Sequence, residues 1–283
     1  MKFSIIVPTY NNIKYLKLFI SSIVKNSKYD HELIFHINQG DDGTLEYIKE
    51  RKFLYTYSKI NIGLCDAVNK ASLLSTTNYI MFAHDDMYFC KNWDIFLESD
   101  LKKYNNNLFY ISGTNISKIN GIINHDCGDN PDNFNEEKFN NFCSNDYSND
   151  LQGSHWAPHI IHKDLWSKIG GFSPEFNPGD GSDPDLCFKL WKENVRIFKC
   201  LSKFKVYHFG SVTTRKRSVL LNDGTKKFIL KWGINPRFFR KYFLKGDGKK
   251  PFIGALSEPI YSKKMLIELL INKLKYFYYK ISS

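Results

Sequence analysis

No run of residues in this chain approaches the apolar length that a bilayer-spanning helix needs. Cysteine is sparse and scattered (Cys65, Cys90, Cys127, Cys143, Cys187, Cys200), with no CxxC pair and no zinc-finger spacing. That excludes a small disulfide-stapled scaffold and points to a reduced, cytosolic setting. The N-terminus runs straight into the strand-like FSIIVPTY without a cleavable signal pattern, which fits the same compartment. Acidic residues are scarce in one region only. Residues 201–283 hold 19 Lys/Arg against 4 Asp/Glu, whereas residues 1–200 hold 21 against 25. The excess of +15 in the last third calls for an anionic partner there, either a membrane surface, nucleic acid or a phosphorylated substrate. No nucleic-acid recognition motif accompanies the charge, so nucleic acid is not expected.

With 283 residues the chain can bury one substantial core and a small appendage. Strand-like and helix-like segments alternate with short connections. Lys2–Val7, Glu32–Ile37, Leu54–Ser58, Tyr79–Ala83, Leu108–Gly113 and Lys205–Phe209 read as strands. Tyr15–Val24, Leu45–Arg51, Gly63–Ser75, Trp93–Tyr104 and Pro184–Glu193 read as helices. This order predicts an α/β fold with a mostly parallel central sheet and helices on both faces. Residues 115–150, rich in Asn and Asp, read as a functional loop or mobile insertion. Within them His125 and Cys127, with Cys143, match no common metal-site spacing. Pro259–Ser283 spaces Leu266, Leu269, Leu270, Leu274 and Phe277 helically among lysines. The first reading is a terminal helix that packs this stripe on the domain. The alternative is a basic amphipathic helix on an anionic bilayer.

The chain is organised around Asn78–Trp93. Its apolar run stops at two adjacent acids, Asp85 and Asp86, at the end of a strand, where open α/β sheets bind ligands. Two carboxylates there repel unless a divalent cation or cationic ligand neutralises them. Taken alone, the same pair also fits a hydrated turn.

An ordered series of short motifs over residues 3–232 resembles family 2 glycosyltransferases, whose fold is called GT-A. It comprises IVPTYNN (6–12), the Asn38–Thr44 turn ending in Asp-Gly-Thr, and Asn61-x-Gly63-x-x-x-Ala67-x-Asn69. His84-Asp85-Asp86, Gly170-Gly171-Phe172, Asp183-Pro184-Asp185-Leu186 and Val206-Tyr207-His208 follow. The resemblance implies a Rossmann-like, three-layer α/β/α GT-A domain over residues 1–235 with a basic helical C-terminal extension over 236–283. Residues 1–112 would hold the nucleotide sugar, and 113–235 the acceptor and the catalytic base. It implies a metal-dependent, inverting, hexosyltransferase-like enzyme using a nucleotide-diphosphate sugar, in the first instance a UDP-sugar. The acceptor would be a hydroxyl of a glycan, a lipid-linked sugar or a protein glycan, reached from the cytoplasm, either in solution or at a membrane surface.

The resemblance assigns Pro8, Thr9, Tyr10, Asn38, Asp42, Asn61, Gly63, Asn69 and Asp85 to the donor. Arg215, with Lys216 and Arg217, either clamps the diphosphate or forms a solvated basic loop. Asp86 is the leading metal ligand, Asp85 the second and His208 a third, for Mn²⁺ or Mg²⁺. Asp183 is the candidate base that takes the acceptor's proton. An Asp before Pro is also a good helix N-cap, so both roles stay open. Trp156 and Asp185 are candidate acceptor contacts, while Trp166 reads as core. Asn38 stands where an acid is common in the family, His84 replaces the first acid of the usual metal motif, and Ser182 replaces a frequent Glu. A sugar-phosphate nucleotidyltransferase would need a glycine-rich N-terminal loop that Pro8–Asn12 does not supply. A catalytically degenerate sugar-nucleotide or glycan binder is the remaining alternative.

Overall fold

The computed structural model describes residues 1–146, 148–210, 223–246 and 248–282. The chain opens with strand β1 (Ser4–Tyr10), whose Ile5, Ile6 and Val7 are fully buried, and helix α1 (Ile13–Asn26). Strand β2 (Glu32–Asn38), helix α2 (Thr44–Glu50), strand β3 (Leu54–Ser58) and helix α3 (Leu64–Ser72) follow. Strand β4 (Tyr79–Phe82) then returns to the other side of β1. These four strands pair in parallel in the order β3-β2-β1-β4. Because the chain reverses its direction of travel at β1, a crevice opens between the C-terminal ends of β1 and β4, where doubly wound sheets place ligands.

The sheet continues through a second set of strands. After β5 (Met87–Phe89) and α4 (Trp93–Leu101) come β6 (Phe109–Ser117), β7 (Ile123–Asn124), α5 (Glu136–Asn145) and β8 (Leu151–Gln152). Strand β9 (His159–His162), α6 (Lys163–Ile169), a 3₁₀ turn (Pro174–Phe176), α7 (Ser182–Lys192) and β10 (Ile197–His208) complete the domain. The path is β3-β2-β1-β4-β9-β6-β10-β5, with β7 beside β6 and β8 beside β10. β9 is antiparallel to both β4 and β6, and β5 is antiparallel to β10. The helices α8 (Gly224–Trp232), α9 (Pro236–Tyr242) and α10 (Lys263–Ile281) follow, with α9 packing on α7. One buried cluster runs from Phe3 to Met265, so these last helices share the core of the sheet.

Two expectations need correction. Residues 115–146 carry regular structure in place of a loop: they complete β6 and hold β7 and α5. Helix α5 is capped by Asn135, which accepts from Lys138 N at 2.8 Å, and is anchored by Phe139, fully buried against Tyr88 and Tyr207. Helix α10 packs on the domain through Met265, Leu269 and Asn272 rather than through its main apolar stripe. Leu266, Leu270, Leu274 and Phe277 face outward and are each at least half exposed.

Candidate functional site

The acid pair lies at the crevice, and its two carboxylates diverge. Ala83 N still donates to Ile6 O at 3.1 Å, which holds the end of β4 beside β1. Asp85 turns toward β1 and accepts from Thr9 Oγ1 at 2.6 Å and Asn12 Nδ2 at 3.0 Å. Burial, followed by repulsion from Asp86, pushes its carboxyl up to about 7 despite those two hydrogen bonds. Asp86 turns the opposite way. Its carbonyl accepts from Phe209 N at 3.1 Å, and its Oδ1 lies 3.2 Å from His208 Nε2.

The pairing of β5 with β10 explains how His208 arrives there. Met87, Tyr88 and Phe89 are buried and run antiparallel to Val206–His208, with Met87 opposite His208. The residue before Met87 must therefore meet the end of β10. His84 completes the cluster, its ring 5.4 Å from that of His208 and near perpendicular to it. The donor atoms of His84, Asp86 and His208 all lie within 4.8 Å of one another, the one such grouping of three among the described residues. Burial, then the neighbouring His208, holds the His84 imidazole down to about 4, so it is neutral near pH 7 and can offer a lone pair.

This donor set differs from the expected one. Asp85 spends both carboxylate oxygens on Thr9 and Asn12, and His84 stands where a second acid was expected to act. Asp85 and Asp86 lie in the turn between β4 and β5, where hydrogen bonds from Thr9 and Asn12 draw Asp85 toward β1 and the approach of His208 holds Asp86 on the other side. Two imidazoles and one carboxylate suit a first-row divalent ion such as Mn²⁺ better than Mg²⁺, which prefers an all-oxygen shell. His125, Cys127 and Cys143 are not among the ligand groupings of the described residues; His125 stacks on Phe142 instead.

Beside the crevice, the turns after β1 and β2 are stitched together. Asn11 Oδ1 accepts from Gly40 N at 2.7 Å and Asp41 N at 2.9 Å. Asp42 accepts from Ile13 N at 2.9 Å and Thr44 Oγ1 at 2.6 Å, joining the start of α1 to the second turn. Asn11 and Asn12, part of the IVPTYNN motif but given no role by it, hold these turns and Asp85 in place. Pro8 and Tyr10 remain half-buried at the mouth of the crevice, with Thr9 buried between them.

Other residues assigned to the donor by motif are committed to the protein itself. Asn38 is buried, and its Oδ1 accepts from Ile62 N at 3.0 Å and Ser58 Oγ at 3.1 Å. Asn61 Oδ1 accepts from Gly63 N at 2.9 Å in the turn that starts α3. Gly63 has φ +84°, and a Cβ there would lie 2.3 Å from Asn177 Oδ1, so both backbone conformation and space demand glycine. Asn69 exchanges two hydrogen bonds with the backbone of Phe172, at 2.7 and 2.9 Å, tying α3 to the Gly170-Gly171-Phe172 element. Arg215, Lys216 and Arg217 lie outside the described residues.

Asp183 sits in the first turn of α7, whose N-cap is Gly181 rather than Asp183. Its side chain is half-buried and forms no hydrogen bond or ion pair among the described residues. Desolvation alone pushes its carboxyl up to about 7. It lines a cavity of about 590 Å³ with His155, Trp156, Arg237, Arg240 and Lys275. Trp156 also lines a neighbouring cavity of about 670 Å³ that reaches His208. The indole donates to Gly113 O at 3.1 Å, which fixes the ring between the two spaces. Asp185, expected to touch the acceptor, is fully buried: it accepts from Ser173 Oγ at 2.6 Å and Trp232 Nε1 at 2.8 Å, and pairs with Lys231 at 3.0 Å. Trp166 is buried as expected and donates to Ser72 Oγ at 3.1 Å.

The family model for glycosyl transferase family 2 matches residues 4–149, just over half of the chain. The chain belongs to glycosyl transferase family 2. No curated protein matches this family 2 chain. Among solved structures, the 1–349 fragment of S. aureus TarS superposes with a TM-score of 0.54 at 16% identity, covering 74% of this chain and 60% of that one. The same fragment in complex with UDP-GlcNAc gives 0.52 at 16% identity, covering 75% and 61%. GalNAc-T7 with UDP, GalNAc and Mn²⁺ gives 0.56 at 13% identity, covering 85% and 46%. At such identities the likeness establishes the fold, GT-A. The chain spans about 60% of the TarS fragment and less than half of GalNAc-T7.

Proposed function

We propose that this family 2 chain is a metal-dependent, inverting glycosyltransferase that moves a sugar from a nucleoside-diphosphate donor, a UDP-sugar first of all, onto an acceptor hydroxyl. One observation carries the reading. A convergent His84–Asp86–His208 group and the carboxyl of Asp183, unbonded among the described residues, line or border cavities that meet at Trp156. The bound UDP, UDP-GlcNAc and Mn²⁺ in the structures of TarS and GalNAc-T7 support the donor class and the metal by analogy of fold.

His84, Asp86 and His208 would hold the ion. When bound, a divalent ion supplies charge neutralisation for the departing diphosphate. Thr9 and Asn12 fix Asp85 behind it. Backbone groups of Pro8–Tyr10 and the half-buried Tyr10 ring receive the nucleoside, and Asp42 keeps the two flanking turns in register. The acceptor lies in the cavity against Trp156, with its hydroxyl directed at Asp183. In the displacement the acceptor oxygen forms its bond to the anomeric carbon as the bond from that carbon to the diphosphate oxygen breaks. The hydroxyl proton passes to Asp183, and the electron pair leaves with the diphosphate. A carboxyl titrating near 7 is suited to this task, because about half of it is ionised near pH 7 and the ionised form is basic enough to accept the proton.

Functionally, residues 1–112 are assigned to the donor, 113–235 to acceptor and catalysis, and 236–283 to a basic helical extension. The six free cysteines fit a reducing, cytoplasmic site of action. The acceptor is a glycan or lipid-linked sugar, and the transfer is hexosyltransferase-like. The test is a turnover assay over UDP-, GDP-, CMP- and dTDP-sugars with Mn²⁺, following nucleotide release. One nucleotide should release measurably above background, and Asp183→Asn should lower kcat by about 10²–10⁴-fold while leaving donor binding intact. Equal release by wild type and Asp183→Asn would remove Asp183 from the reaction.

A further inference from the structure

Helix α10 turns its apolar side away from the protein. The stripe recurs at three- and four-residue spacing, the mark of one helical face. It presents Leu266, Ile267, Leu270, Leu274, Phe277 and Tyr278 at 50–68% exposure. The opposite face is the one that docks. Asn272 is buried and accepts from Asn235 N at 2.9 Å and Asn235 Nδ2 at 2.7 Å, and Met265 is buried beside it. At about 100° per residue, Lys273 and Lys280 fall along one edge of the stripe and Lys264 and Lys275 along the other. The only acid of the helix, Glu268, lies on the docked side in an ion pair with Lys241. No helix of the described residues is long and apolar enough to cross a membrane.

We propose that α10 is a membrane-seating helix, which lies in the plane of an anionic bilayer with this stripe in the headgroup–acyl boundary. An apolar face rimmed on both edges by lysines matches that interface. The stems cover apolar surface while the ammonium groups reach anionic headgroups. The same rim argues against a second copy of the chain, because pairing two α10 stripes brings lysine edge to lysine edge with no acid to answer them. The seating also orients the site. Lys275, at the lysine edge of the stripe, and Tyr279, on the docked side with Asn272, line the cavity that contains Asp183. That cavity therefore lies beside the membrane plane, within reach of an acceptor tethered in the bilayer.

The test uses the full chain and needs no nucleotide sugar, so it stands or falls independently of the glycosyltransferase reading. Flotation with phosphatidylcholine vesicles containing phosphatidylglycerol should recover the protein. Pure phosphatidylcholine vesicles should recover much less, and salt above the physiological level should weaken binding to the anionic ones. The triple variant Leu270→Glu/Leu274→Glu/Phe277→Glu should lose at least about tenfold in partitioning with an unchanged melting temperature, since these side chains are exposed. As a second variant that leaves the stripe intact, Lys273→Gln/Lys280→Gln should lose the preference for anionic vesicles. Failure of wild type to bind anionic vesicles overturns the proposal. So does a wild-type dimer in solution that the triple variant converts to monomer, which would make the stripe a subunit interface.

Discussion

At the scale of the residue, Asp183 and Asp85 are the informative carboxyls. Both are raised to about 7, but for different reasons: Asp85 by burial and the adjacent Asp86, Asp183 by desolvation alone. A carboxyl whose folded pKa exceeds its unfolded value adds stability that is fully present below the unfolded pKa. That stability is lost as pH rises through the folded pKa. For Asp183 the window runs from about 4 to about 7. Asp183→Asn should therefore raise the melting temperature at pH 8, where the wild type must keep a charge in that site, and the gain should shrink as the pH is lowered toward 4. Thermal melts of both proteins across that range check it; a gain independent of pH would mean that Asp183 is not desolvated. The sequence pointed to Asp86, His208 and Asp183 because each ends or begins an element in a recognisable order. It ranked Asp85 as the second metal ligand and gave His84 no role, because side-chain direction in a turn depends on what stands on either side. Here Thr9 and Asn12 draw Asp85 away, and no local pattern announces that.

At the scale of the element, the site depends on two joints between distant segments. One is the pairing of β5 with β10, which sets His208 against Asp86. The other is the seam between α3 and the Gly170-Gly171-Phe172 element, held by the paired hydrogen bonds of Asn69 with Phe172. Asn69→Ala should cost about 1–3 kcal/mol, because it strands a backbone donor and acceptor in a packed seam. Urea unfolding should show a lower midpoint with an unchanged slope, and a loss of under about 0.5 kcal/mol would put the seam's strength elsewhere. The long parallel strands and amphipathic helices were legible because their periodicity is strong. Strand β5 was not, since three residues carry no period. Helix α5 was obscured by an Asn-rich surface and a single buried anchor, Phe139, although Asn135-Glu136-Glu137 is a sound N-terminal signal. Strand β9 was hidden for a third reason: it is short, and its antiparallel place between β4 and β6 is set by long-range packing.

At the scale of the whole molecule, charge and hydrophobicity are divided between two ends. The first 200 residues supply most of the crevice, to which the last 83 add His208, while those 83 also carry the cationic excess and the outward stripe of α10. The charge asymmetry was plain in the sequence. The direction of the stripe was not, because helical spacing shows that an apolar face exists and leaves open which partner covers it. The account as a whole rests on one claim, that the crevice binds a nucleoside diphosphate together with a divalent ion held by His84, Asp86 and His208. The most direct measurement is a thermal-shift titration of UDP with and without Mn²⁺ on wild type, Asp86→Ala and His84→Ala. A ligand that binds only the folded state at a hundred times its Kd adds about 2.7 kcal/mol of apparent stability. The account predicts that wild type is stabilised by UDP only in the presence of Mn²⁺, and that both variants lose the effect while keeping their own melting temperatures near wild type. Stabilisation by UDP that is the same with and without Mn²⁺, or that survives in Asp86→Ala, would contradict it.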